Sequence, residues 1–155
     1  LYQWTILGHD AVVGTSGQRT PCFYALKHFA NYIPPGAVLV DSSLLDANMY
    51  SLVFKITNNL YTAIILNDRA QSNVFTVSQP GQSLACTQSV FSTQSSYYQH
   101  GGPILPDVYG TLTLTVPAKS IASFRIDVVP EPAFLTVCAA VLVASRLRRT
   151  GTRRA

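Results

Sequence analysis

The chain has 155 residues, room for one modest domain and a terminal segment, and its 11 Lys and Arg against 7 Asp and Glu give a formal charge of +4. Five of the arginines are Arg146, Arg148, Arg149, Arg153 and Arg154; subtracting them leaves −1 for residues 1–145, a near-neutral body that speaks against nucleic acid as a partner. Only 12% of residues are charged while Ser, Thr, Gln, Asn and Tyr are plentiful, a balance that suits an extracellular β-rich domain.

Residues 1–7, with Tyr2, Trp4, Ile6 and Leu7, read as a short strand, and residues 8–18, with Gly14, Ser16 and Gly17, as a loop. Thr20 followed by Pro21 is a helix start, because Thr can cap the free amides and Pro is tolerated at the first helical position. Phe23, Leu26, Phe29 or Ala30, and Ile33 then recur at helical spacing until Pro34, Pro35 and Gly36 stop the helix. After Gly36 the period becomes alternating. Strands are expected over 37–41, 50–57, 61–66, 73–77, 83–91, 110–116 and 119–129, with Asn58 and Asn59 as a tight hairpin turn. Leu112, Leu114 and Val116 alternate with Thr111, Thr113 and Thr115, the pattern of a strand with one buried face. In the last strand Ile121, Phe124 and Ile126 approximate a core face. Between Thr87 and Val108 the Gln-, Ser- and Tyr-rich stretch with Gly101, Gly102, Pro103 and Pro106 reads as a long loop or an edge region. The fold class is mainly β: an antiparallel β-sandwich, preceded by one strand and a helix.

Cys22 and Cys86 are the only pair in the body that could bridge, and free thiols are the favoured reading; Cys138 lies further on. His9 and His28 are too far apart and too poorly accompanied for a metal site, so no metal or cofactor is expected, and His28 reads as a satisfied helix histidine.

At the C-terminus, Pro130, Glu131 and Pro132 keep the last strand from running on. Ala133, Phe134, Leu135, Val137, Val141, Leu142 and Val143 belong to an uncharged run over 133–145 that is apolar on every side of a helix. At ~1.5 Å per residue that run reaches only about 20 Å of the roughly 30 Å hydrocarbon layer, and the methylene stems of the flanking arginines extend it. Basic flanks stay cytoplasmic, so a transmembrane helix here leaves the C-terminus inside and the body exported. This order of parts resembles the PEP-CTERM sorting signal of exported bacterial proteins. The resemblance implies recognition by an exosortase at the inner membrane, with processing at or near Pro130, Glu131 and Pro132 and localisation to the cell membrane or envelope, the body released or surface-attached afterwards. An ordinary tail anchor is the other reading. No leader is read at Leu1, so the chain is expected to be the C-terminal piece of something longer, or to have a misassigned start.

The body carries a second resemblance. Thr20, Pro21, Cys22, Phe23, Tyr24, Ala25, Leu26, Lys27, His28 and Phe29, running into Ile33, Pro34, Pro35, Gly36, Ala37 and Val38, resemble the junction in family-thirty glycoside hydrolases where the last barrel helix leads into a β-sandwich. Residues 2–7 are similar to the family's eighth barrel strand, 63–68 to a hairpin ending near an Asn, and 112–124 to the final hairpin. Ala30 departs from the family's Ser, and the polar stretch over 87–106 is an insertion. The resemblance implies a barrel remnant over 1–36, a β-sandwich over 37–128 and the sorting segment over 129–155. Glycoside hydrolysis needs two carboxylates flanking the scissile bond. The family's pair are glutamates upstream of anything present here, and the one glutamate of this chain is Glu131. No residue here therefore matches a catalytic one. Trp4 is a candidate sugar contact or a core residue at the barrel mouth, and Asp10 reads as a turn residue. Tyr97 and Tyr98, with His100, are a candidate sugar platform or pins that hold a long loop. The expected function is the non-catalytic C-terminal part of an exported, membrane-sorted glycoside hydrolase-like protein. The alternative is a non-enzymatic surface or matrix protein whose sandwich binds polysaccharide.

Overall fold

The computed structural model describes residues 12–14 and 16–129. The strand expected over 1–7 with Trp4, then His9 and Asp10, lies outside the described residues, as do Pro130, Glu131, Pro132, the apolar run and the arginine tail. Among the described residues no helix is long and apolar enough to cross a membrane.

Helix α1 (Pro21–Tyr32) begins where its cap dictates. Thr20 Oγ1 accepts from the Phe23 amide at 3.4 Å and donates to the Val12 carbonyl at 3.1 Å, so one hydroxyl caps the helix and ties down the preceding loop. Eight strands follow among the described residues: β1 (Val38–Asp46), β2 (Met49–Thr57), β3 (Leu60–Asn67), β4 (Asn73–Val77), β5 (Ser83–Thr93), β6 (Gln99–Gly101), β7 (Leu112–Val116) and β8 (Ser120–Val129). Six form one antiparallel sheet in the order β1-β2-β3-β8-β5-β6, and β4 and β7 form a separate ribbon. Asn58 and Asn59 make the two-residue turn between β2 and β3, with Thr57 opposite Leu60.

The ribbon covers one face of the large sheet and α1 the other, so the sandwich is uneven. Leu112, Leu114 and Val116 of β7 are fully buried and pack against Ala122, Phe124 and Ile126 of β8, with Ala63, Ile65 and Leu84 beside them. The Phe91 ring meets Phe124 edge-on at 5.7 Å. The side chain of Asn67, fully buried at the end of β3, latches the turns that feed the ribbon: its Nδ2 donates to the carbonyls of Gln71 at 2.9 Å and Pro117 at 2.8 Å, and its Oδ1 accepts from the Arg69 amide at 3.0 Å.

Three expectations shift and one narrows. Ile121 is not on the core face, because a residue three positions from Phe124 has the opposite parity on a strand; Ala122 takes that place. The first strand continues through polar Ser42 and Ser43 to Asp46, because pairing with β2 rather than apolar alternation extends it. The stretch over 87–108, expected as a long loop or an edge region, forms an edge: it contains strand β6, which pairs Val90 with His100. A Cβ on Gly101 would run into Ser89 Oγ and the Phe91 ring, so only glycine lets β6 approach β5. Finally, the apolar stripe of α1 faces away from the sheet: Leu26 and Phe29 are 37% and 36% exposed, whereas His28 and Tyr32 are buried. The sheet beneath the helix carries Thr62, Ser92 and Ser123, and the helix turns its polar side to meet them.

Truncating Phe124 to Ala leaves a cavity at the centre of the core and should cost about 3–5 kcal/mol in urea unfolding. A loss below about 1 kcal/mol would show that the ribbon collapses onto the gap.

Candidate functional site

The chemistry-bearing side chains of the described residues gather at the seam between α1, β5 and β8. His28 is fully buried. Its Nδ1 lies 2.7 Å from Ser123 Oγ on β8 and its Nε2 2.8 Å from Ser92 Oγ on β5. Burial, with the adjacent Lys27 ammonium adding to it, lowers the His28 pKa to about 4. The imidazole is thus neutral, one ring nitrogen donating to a serine and the other accepting from a serine. A hydroxyl–imidazole contact also occurs in nucleophilic catalysis, but here both ring nitrogens are capped by hydroxyls inside the seam and no carboxylate orients the ring. His28 is a satisfied structural histidine.

The β5–β6 loop is fastened over this seam. Tyr98 adopts a left-handed backbone (φ 54°), which directs its amide to Ser92 Oγ at 2.9 Å. Its hydroxyl accepts from Asn31 Nδ2 at 2.7 Å, and Lys27 Nζ sits 3.7 Å from the ring centroid. His100 meets the same ring edge-on at 5.6 Å. Tyr97 stacks flat on Tyr24 of α1, with centroids 4.8 Å apart and planes 7° apart, and its hydroxyl donates to the Gln94 carbonyl at 3.2 Å. Both tyrosines therefore pin the loop to the helix.

Tyr97 has a second environment. Together with Pro21, Ala25, Leu66, Gln94 and Ile121 it lines an open groove of about 360 Å³ at the N-terminal end of α1. Lys119 and Asp68, paired at 2.8 Å, stand on its rim. Its lining is mixed, for Asn67, Ser92, Thr93 and Ser120 join the apolar side chains. The structure thus separates the two tyrosines: Tyr98 lies beneath Lys27, while Tyr97 borders open space.

Three of the described carboxylates are occupied locally. Asp68 pairs with Lys119, Asp127 accepts from Thr87 Oγ1 at 2.7 Å, and Asp107 holds its own turn by accepting the amides of Tyr109 and Thr111. They sit on three different loops and strands. No group of three His, Cys, Asp or Glu among the described residues could hold a metal ion. Cys22 and Cys86 are both free. Cys22 lies on α1 and Cys86 in the core on the far face of the sheet, so the sheet itself separates them. Burial pushes the Cys86 thiol up to about 11, so it is protonated and unreactive. The histidine partners, 64 and 95 residues away, are the part of the seam that sequence spacing does not reveal.

A six-stranded antiparallel sheet clasped between a two-stranded ribbon and one helix defines a mainly β, sandwich-class body. Solved structures place it more narrowly. The chain is similar to an endoxylanase of glycoside hydrolase family 30 from Clostridium papyrosolvens, with 25% identity and a TM-score of 0.63, covering 74% of this chain and 30% of the xylanase. It is similar to a family 30 subfamily 8 xylanase from Clostridium acetobutylicum, with 17% identity and a TM-score of 0.66, over 77% of this chain and 31% of the other. The catalytic domain of a family 30 xylanase from Talaromyces cellulolyticus aligns with a TM-score of 0.58 at 20% identity, over 75% of this chain and 26% of the other. The chain thus spans under a third of the length of these enzymes. Its body is glycoside hydrolase-like in fold. No protein-family model and no curated protein matches the sequence.

The neutral His28 makes the seam acid-sensitive. Its folded pKa of about 4 lies below the unfolded value of 6.5, so the unfolded chain takes up a proton first. This contribution to stability is full above pH 6.5 and is lost as pH falls towards 4, by about 3 kcal/mol at most. A His28→Gln variant should be less stable than the parent at pH 7, and the gap should narrow as the pH approaches 4. A gap independent of pH would contradict the burial of a neutral imidazole.

Proposed function

We propose that the chain is the C-terminal, non-catalytic β-sandwich portion of an exported, membrane-sorted glycoside hydrolase-like protein. Residues 1–36 supply the last strand and helix of a barrel, residues 37–128 the bracing sandwich, and residues 129–155 a PEP-CTERM-type sorting signal. The observation that carries this reading is the likeness of the body to solved family 30 structures. The outward apolar face of α1 supports it: Leu26 and Phe29 are over a third exposed on a helix whose other side is already buried, as expected of a barrel helix that has further neighbours to meet. The catalytic carboxylates belong to the barrel and not to this chain, whose lone glutamate is Glu131. The tail directs exosortase-dependent anchoring or processing at the inner membrane, with the body outside and the arginines in the cytoplasm. The groove beside Tyr97 favours a second reading, in which the sandwich also holds polysaccharide.

The purified full chain should release no reducing sugar from xylan or β-glucans above a no-enzyme control; turnover at enzymatic rates would sink the non-catalytic assignment. In a host with an exosortase, Glu131→Ala should abolish the processing seen for the parent chain on a size-resolving gel. Unchanged processing would mean that the motif has been misread.

A further inference from the structure

Leu105, Val108 and Tyr109 are 77%, 92% and 88% exposed, the largest values among the exposed large apolar side chains of the described residues. Val108 and Tyr109 sit on a rigid turn rather than a loose one. Asp107 Oδ1 accepts the amides of Tyr109 at 2.9 Å and Thr111 at 2.8 Å, the Asp107 amide donates to the Thr111 carbonyl at 2.9 Å, and Gly110 turns the chain with φ 76°. The turn's position is also fixed. The Gly110 carbonyl accepts from the Leu84 amide at 3.4 Å, and a Cβ on Gly110 would meet Ser83 Cα at 3.3 Å. Ser83 is the register partner of Val129, the last residue of β8. The apolar tip therefore stands at the end of the sheet that carries Val129, on the edge of β5 away from β8.

From Val129 to Ala133, where the apolar run starts, is four residue steps, a reach of at most about 14 Å. If the run lies in a bilayer, the end of the sandwich that carries Val129 is held at the headgroup layer. We propose that the 105–110 loop seats Val108 and Tyr109 in the interfacial layer of that bilayer, as a second contact beside the tail. The proposal rests on the membrane reading of residues 133–145. Tyrosine suits this depth, with an apolar ring and a hydroxyl that reaches water. The one charge on the turn, the Asp107 carboxylate, is engaged by two backbone amides. The opposite end of the sheet carries the exposed Asp68–Lys119 pair. Asp127 and Glu131 flank the exit, which makes a zwitterionic surface the fitting one.

The test uses the full chain reconstituted in phosphatidylcholine vesicles containing brominated acyl chains. The parent, with Trp4, supplies the background emission. Y109W should add emission that is blue-shifted and quenched by the brominated lipid. S95W, on the β5–β6 turn at the far end, should add water-like emission that is not quenched. Both sites are exposed, so neither substitution disturbs the core. Unquenched, water-like emission from Y109W in protein that resists carbonate extraction would overturn the proposal alone. Equal quenching of Y109W and S95W would overturn the orientation. Release of the parent chain by carbonate would overturn the tail reading and this inference with it.

Discussion

Strand β8 is hydrogen-bonded on both edges, to β3 along one side and β5 along the other, and is covered on both faces. That double burial forces two unlike faces onto one ten-residue strand. Ala122, Phe124 and Ile126 complete the apolar core under the ribbon. Ser123, one step out of phase, meets His28 of the helix. An apolar residue at that position would leave a buried imidazole nitrogen unpaired, and a polar residue at Phe124 would open the core. The orientation of the helix follows from how these two faces are matched.

Several of these features were legible in the residues and several were not, for identifiable reasons. The helix start was, because Thr20 and Pro21 act locally, and so were the Asn58–Asn59 turn and the alternation of β7. The face that α1 would bury was not, because apolar periodicity assumes an apolar partner and the sheet offered serines and a threonine. Strand β6 was hidden for a different cause: three residues, Gln99, His100 and Gly101, carry no alternation, and their pairing depends on the missing side chain of Gly101. His28 could be read as satisfied, but not by what, since its partners arrive from distant strands. The grouping of Tyr97, Tyr98 and His100 was visible as composition; that one ring lies beneath a lysine while another borders a groove needed coordinates.

The seam and the groove have different relations to function. The imidazole and the serine hydroxyls of the seam satisfy one another, while the buried Tyr32 hydroxyl beside them has no hydrogen-bond partner. The groove is open, and its aromatic wall is braced from behind by Tyr24, so a ligand there would meet a surface already ordered. The fold is otherwise seen as under a third of a much longer enzyme.

The place of β8 in the sheet also bears on mechanics. Val129 ends this strand, so a pull applied there would run along the strand axis. β8 is held against β5 from Ser83–Val129 to Thr93–Ser120 and against β3 from Leu60–Asp127 to Asn67–Ser120. A pull along that axis loads both ladders in shear, so that many hydrogen bonds must yield together, whereas an edge strand would peel away one bond at a time. A load on a central strand is thus shared by two ladders at once.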